Sequence, residues 1–443
     1  MAGIADFVAG RAASQSLLGF RGGTLSILLA CSPCGQAWAR TWHVRADRTG
    51  DVPTIQAALD SARAGDIVLV APGTYTWTTE DADDTAPSPS LLYMVPNVTL
   101  RGESGAENTI LDAERRGRVI TGLDVERARI EGLSLTNGRG YAAGLLVDGD
   151  SHPTVARCIV RDNHNRSQTG GTITCRNTTL VDCQISNNST DGSGGGLNAR
   201  SCFITGCLIR DNEASGVESG ASGGGIVAVG STIADCRIET NRAFNYPGSG
   251  GGGVILNDGS LLRCTLVANE TNGPGGGVWC SGECSITDCI FVANKGFGGA
   301  AIAGGILNVS GCTLVANEDS GHPRVPARVG GIQGRGNVRN TIVALNIGAA
   351  CEGDLTFACC DLFGNSLGDA ICGDGGGNFG ADPEFCAVDP AGSLNLALQS
   401  DSPCTPGNHP AGNPCGLIGA VAVGCQTVLV QPVNWSEVKR LYR

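Results

Sequence analysis

Five consecutive residues, Asp162-Asn163-His164-Asn165-Arg166, gather a carboxylate, an imidazole and a guanidinium on what reads as a turn. Such a trio can contact a sugar or move a proton, because His titrates near neutrality and a carboxylate can orient it. Asp162, His164 and Arg166 are the catalytic candidates, although an exposed polar turn is the plainer reading. A second group, Glu80, Asp81, Asp83 and Asp84, places four carboxylates within five residues. Calcium takes several oxygen ligands around one point, so these four are the Ca²⁺ candidates, against a solvated acidic loop. No other cofactor is expected. Lys295, which follows Asn294 on a turn, is an isolated basic group.

The elements that must position these residues are set by a repeat. Cys-x-apolar-x-x-Asn occurs as Cys158–Asn163, Cys183–Asn188, Cys207–Asn212, Cys236–Asn241, Cys264–Asn269, Cys289–Asn294 and Cys312–Asn317. Asn340–Asn346 reads as an eighth copy with Asn in the Cys place and Ile342 as its apolar residue. Gly132–Asn137 reads as a degenerate early one. Glycine clusters such as Gly223-Gly224-Gly225 and Gly251-Gly252-Gly253 fall in the intervals. Units of 23–29 residues with strands of four or five residues cannot close on themselves. They fit one coil of a parallel β-helix, stacked ~4.8 Å from the next. The expected fold is therefore all-β, a right-handed parallel β-helix of three short strands per coil. The repeated Cys is expected to form an inward thiol column, since stacked positions lie farther apart than the ~3.8 Å Cβ separation of a disulfide. Zinc needs ligands converging on one point, which an even row does not offer. The repeated Asn reads as a turn ladder.

Both ends need caps, because an open end exposes unpaired strands. Thr54 begins an amphipathic helical segment with Ile55, Ala58, Leu59 and Ala62 on one face. At the other end, Cys351, Cys359, Cys360, Cys372, Cys386, Cys404, Cys415 and Cys425 show no coil period and read as disulfide-stapled final coils and cap, their pairing open. The organisation expected is a leader over 1–39, a β-helix with its N-terminal cap over 40–350, a Cys-rich part over 351–425 and a basic tail over 426–443. The leader has Arg11 and Arg21, the apolar run 25–30 and Ala37-Trp38-Ala39, the order of a signal peptide cleaved before Arg40. Lipidation at Cys31 after Leu28-Leu29-Ala30 is the other processing route, and an uncleaved segment is the third alternative. Either processing route places the chain outside the cytoplasm, where disulfides persist. Losing Cys31 and Cys34 from 21 cysteines leaves 19, so at least one is unpaired within the chain.

Lys+Arg 30 against Asp+Glu 42 gives −12, which argues against nucleic acid as a partner. No apolar run reaches the ~18 residues of a membrane helix. Hydrophobic content of 41% with 16% charge argues against disorder.

Thr54-Ile55-Gln56-Ala57-Ala58-Leu59, Gly65-Asp66, Val70-Ala71-Pro72-Gly73-Thr74-Tyr75, Val98–Gly102 and Thr109–Asp112 resemble the opening of bacterial pectin-lyase-like right-handed β-helix proteins. With the repeat, the resemblance spans about residues 44–346. Ala381–Cys386, Ser400–Cys404 and Cys415–Ala420 resemble the closing segment of secreted members of that group. The resemblance implies an acidic polysaccharide as substrate and a site built from clustered Asp, or from Ca²⁺ or Arg with a basic residue. The hydrolase signatures Asn-Thr-Asp, Asp-Asp and Gly-His-Gly are missing from the coils, Asp83-Asp84 being the one adjacent Asp pair. Arg157, Arg161, Arg176, Arg200, Arg210 and Arg237 are candidates for a basic stripe, and no repeated aromatic or carboxylate row is read. The expectation is a secreted or cell-surface bacterial β-helix protein, a monomer, with a binding, adhesive or structural role on polysaccharide or cell-envelope glycan. The alternative is a lyase, glycoside hydrolase or epimerase with a divergent site.

Overall fold

The computed structural model describes residues 39–425 except 84, 86–87, 151, 216–222, 245–249, 322–327, 389–393 and 422. The leader and the basic tail lie outside the described residues, as does Asp84.

The repeat folds as a parallel β-solenoid. Three sheets of 20, 12 and 7 strands run along it, and every described pairing within them is parallel. One coil shows the pattern. Ile226–Val229 and Thr232–Ala234 belong to the largest sheet, Arg237–Glu239 to the second and Arg242–Ala243 to the third. Seven of the coils carry such a two-residue strand in the third sheet.

Single left-handed residues make the corners. Asp182, Asp235 and Asp288 stand before a column Cys at φ of 52–53°, and Asp162, Asn187 and Asp211 stand before a ladder Asn at 54–58°. Asp and Asn tolerate this region because their side chains bond locally. The glycine clusters answer a different need, since a Cβ on Gly252 would lie 2.6 Å from the Gly276 carbonyl of the next coil.

The interior stacks residues of one kind. Cys158, Cys183, Cys207, Cys236, Cys264, Cys289, Cys312 and Cys360 are all unbridged and buried. Each Sγ donates to the carbonyl two residues back, as Cys236 does to Ala234 at 3.1 Å. Burial raises the Cys289 thiol and takes Cys360 to about 12, so these two sulfurs stay protonated and are poor nucleophiles. Beside them nine Asn, from Asn163 to Asn365, form a continuous ladder. In each step the backbone N–H and Nδ2 of one Asn donate to Oδ1 of the next, as Asn241 does to Asn269 at 3.1 and 3.0 Å.

The pairing corrects the sequence reading in three places. Cys312 N donates to Thr341 Oγ1 at 3.3 Å, so Thr341, not Asn340, takes the Cys place, and Val343 rather than Ile342 stacks on Leu314. A hydroxyl replaces the thiol, while Asn340 makes the left-handed corner. By the same one-residue shift Leu133 lies beneath Cys158 in the early copy. Cys360 belongs to the column, not to the staples, because Cys360–Asn365 is a further complete copy.

Helix α1 (Ile55–Ser61) covers the N-terminal end. Thr54 Oγ1 accepts from Ala57 N, and Ile55, Ala58 and Leu59 are buried in the main core. The Cys-rich segment covers more than an end. Its hairpin, Phe385–Val388 and Leu394–Leu398, packs with Cys404 and Ile418 against the outer face of the second sheet, on Val267, Val292, Val315, Ile342 and Ala344. Ala420 N donates to Thr313 Oγ1 at 2.9 Å. Disulfides Cys351–Cys372, Cys359–Cys415 and Cys386–Cys425 staple this region, and Cys280–Cys284 lies within a coil.

Two buried carboxyls bind these caps. Glu80 accepts the Ile55 N–H at 2.6 Å at the helix start. Asp361 accepts Ala381 N at 3.0 Å and the Cys404 thiol at 3.3 Å. Burial pushes both up to about 7. A carboxyl raised on folding holds its proton more tightly in the native state. Its contribution is complete below the unfolded value near ~4 and is lost as pH rises through about 7. Thermal unfolding should therefore give a higher Tm at pH 5 than at pH 8, with the difference reduced in Asp361→Asn. A Tm difference unchanged by that substitution would contradict this assignment.

Candidate functional site

The largest sheet presents an outward row that the sequence reading did not find. Thr154, Thr179, Phe203, Thr232, Ser260, Ser285, Asn308, Asn337 and Thr356 are partners in register on nine successive coils. Each stands four residues before its column Cys or Thr341, so the spacing was open to inspection. Eight are uncharged hydrogen-bonding residues and one is an aromatic ring, 45% exposed. The row repeats at the coil rise of ~4.8 Å, close to the length of one sugar unit in an extended glycan.

Over four coils the row lines an open groove of roughly 450 Å³, formed by Thr232, Ser260, Ser285 and Asn308 with Asp258 and Glu283. Ser260 Oγ donates to Thr232 Oγ1 at 3.2 Å, and Asn308 Nδ2 donates to Glu283 Oε1 at 3.3 Å. Asp258 turns the corner at φ 49°, and its Oδ1 accepts Glu283 N at 3.0 Å. A Cβ on Gly282 would lie 2.4 Å from Asp258 Oδ1, so any other residue there would displace the Asp258 side chain. The Cys280–Cys284 disulfide brackets this turn and restrains the backbone carrying Glu283.

The sequence-selected residues lie elsewhere. Asp162 makes a left-handed corner and sits 3.5 Å from Arg161. Arg166 is exposed. His164 instead meets Ser189, with Nδ1 to Oγ at 2.8 Å, and Asp191, with Nε2 to Oδ1 at 3.6 Å. Ser, His and Asp are thus adjacent on an open surface. The Ser189 and Asp191 N–H groups are committed to Asn163 and Asn165 carbonyls, so neither can cradle an oxyanion. Of the Ca²⁺ candidates, Glu80 holds Ile55, Asp81 pairs with Arg48 at 2.8 Å, and Asp83 accepts Thr85 N at 2.8 Å. Among the described residues no three His, Cys, Asp or Glu side chains are grouped to hold a metal ion.

The arginines do not line up as a stripe. Arg161 and Arg210 lie in one row with Ser186 between them, Arg176 and Arg200 in another, and Arg237 in a third. Arg157 pairs with Glu131, Arg237 with Glu239 and Arg210 with Asp211. Lys295 stands in register between Glu270 and Glu318, in a row that alternates in charge from Glu213 onward.

A sequence profile described as "Right handed beta helix region" matches residues 119–286, agreeing with the pairing pattern. No curated protein matches the chain. Among solved structures it is similar to the catalytic unit of a thermostable α-1,3-glucanase from Streptomyces thermodiastaticus. That likeness has 16% identity, covers 77% of this chain and 69% of that one, and has a TM-score of 0.43. The alginate lyase AlyGC matches at 13%, over 87% and 59% of the two chains, with a TM-score of 0.44. Pectate lyase Pel9A matches at 13%, over 87% and 96%, with a TM-score of 0.41. Likenesses this remote carry no argument about activity. The chain is a right-handed parallel β-helix, the fold that its repeat implied.

Proposed function

We propose that this protein acts outside the cytoplasm as a binding protein for an extended, uncharged glycan, which lies along the outward row and is not cleaved. The observation that carries this reading is the uncharged run of the row from Thr154 to Thr356, bordered by Arg129 on the preceding coil, with one exposed ring at Phe203. Hydroxyls and amides can exchange hydrogen bonds with sugar hydroxyls on every coil, and an aromatic face suits the apolar side of a pyranose. A net charge of −12 disfavours a polyuronate, and the arginines that could offset it are dispersed and mostly paired. Four disulfides support an oxidising compartment. Among the described residues no helix is long and apolar enough to cross a membrane.

Affinity electrophoresis against neutral and acidic polysaccharides tests this reading. Retardation by a neutral glycan is expected. Phe203→Ala should weaken it about tenfold, or ~1.4 kcal/mol, and Ser260→Arg should abolish it by filling the groove. Equal retardation of wild type and both variants would contradict the placement. A second reading, glycoside hydrolysis, is favoured by Asp258 and Glu283 sharing one groove, since that chemistry takes two carboxylates. It requires chain shortening that Glu283→Gln removes.

A further inference from the structure

We infer that Cys175 and Cys202 form a fifth disulfide, one that ties two neighbouring coils together. Their sulfurs lie 3.3 Å apart, and both side chains are buried. Cys202 Sγ also lies 3.5 Å from the Cys175 carbonyl, so its side chain reaches directly onto the coil below. Column thiols also touch the coil below, as Cys264 Sγ does at 3.5 Å from the Ile233 carbonyl, but they repeat one position on successive coils, whereas Cys175 and Cys202 come from two different positions.

The position of the pair strengthens the assignment. Cys175 pairs with Ala199, then Ala228, Leu256 and Cys280, so Cys175 and Cys280 share one row. Cys202 precedes Phe203, and Cys284 precedes Ser285, in the row Phe203, Thr232, Ser260, Ser285. The same two interior rows therefore hold both cysteine pairs. One is bridged within a coil, and the other faces across two coils.

Closure removes one proton and one electron from each thiol as the Sγ–Sγ bond forms. A disulfide-bearing thiol oxidoreductase, the class that installs disulfides generally, accepts both and becomes a dithiol. The bridge closes before the next coil seals the pair from solvent. Cys202 immediately precedes Phe203, so the bridge ties down the coil that carries the row's aromatic ring.

The test uses the full chain made in an oxidising compartment, denatured and alkylated without reductant, then digested and mapped by mass. A linked peptide pair containing Cys175 and Cys202, lighter by two hydrogens and free of alkyl groups, is expected. Alkyl groups on both residues would overturn the inference. Thiol titration in denaturant gives a second reading, independent of peptide recovery and of folding. The double variant Cys175→Ala, Cys202→Ala should titrate the same number of thiols as wild type, whereas a count lower by two would overturn it.

Discussion

Asn269→Ala is expected to lower stability by roughly 3–6 kcal/mol, among the largest effects of any single truncation in the chain. The side chain is fully buried and makes four hydrogen bonds, one of them from its Nδ2 to Asn294 Oδ1 at 2.9 Å. Its Oδ1 accepts Asn241 N at 3.1 Å and Asn241 Nδ2 at 3.0 Å, and its Nδ2 donates to the Ile238 carbonyl at 2.9 Å. Truncation takes one hydrogen bond from each of two donors and two acceptors away from water, and leaves Asn241 N and the Ile238 carbonyl without this partner, at about 1–3 kcal/mol each. Repacking cannot supply partners, because the corner is set by a left-handed residue at Ala268, φ 51°. Urea unfolding of Asn269→Ala beside Asn337→Ala, an outward-row control expected to stay within about 0.5 kcal/mol, checks this. Equal midpoints would show that the ladder is not what holds the corners.

Val292→Asp should release the C-terminal segment from the second sheet. Val292 is buried among Val267, Val315, Phe385 and Ile418, with no cation among those neighbours. An unpaired carboxylate there costs several kcal/mol, more than a short hairpin can offset. The coils beneath keep their own parallel pairing and column, so the cost falls on the docked segment. Limited proteolysis should then cut within residues 379–421 under conditions where wild type resists, while the coils survive as a protected core. Cys359–Cys415 would hold the nicked pieces together until reductant is added. Unchanged protection in this variant would mean that the hairpin is not held by the valine face.

How much of this could be read from the chain follows from what repeats. The thiol and Asn positions are almost always Cys and Asn because an interior column and a buried ladder accept few others, so the coil was plain. The slips at Asn340 and Gly132 arose where Thr341 and Leu133 replace the thiol, leaving a corner residue as the apparent anchor. The outward row keeps its place but varies among Thr, Ser, Asn and Phe, since solvent tolerates all four. Only strand register makes it a row. The covered face had a signal that went unread. The position three after the column Cys changes from Arg161, Ser186, Arg210 and Glu239 to Val267, Val292 and Val315, where solvent gives way to the C-terminal segment. His164 drew notice by residue type alone. Its neighbours Ser189 and Asp191 come from the next coil, 25 or more residues away in sequence.

The most direct measurement titrates the protein with neutral oligosaccharides of increasing length by calorimetry, then sizes the sugars recovered from the cell. A strand held by a row repeating once per coil should bind more tightly with each added unit until about four coils are spanned, and should come back at its original length. Affinity that ignores length, or recovered chains shorter than those added, would contradict a non-cleaving row.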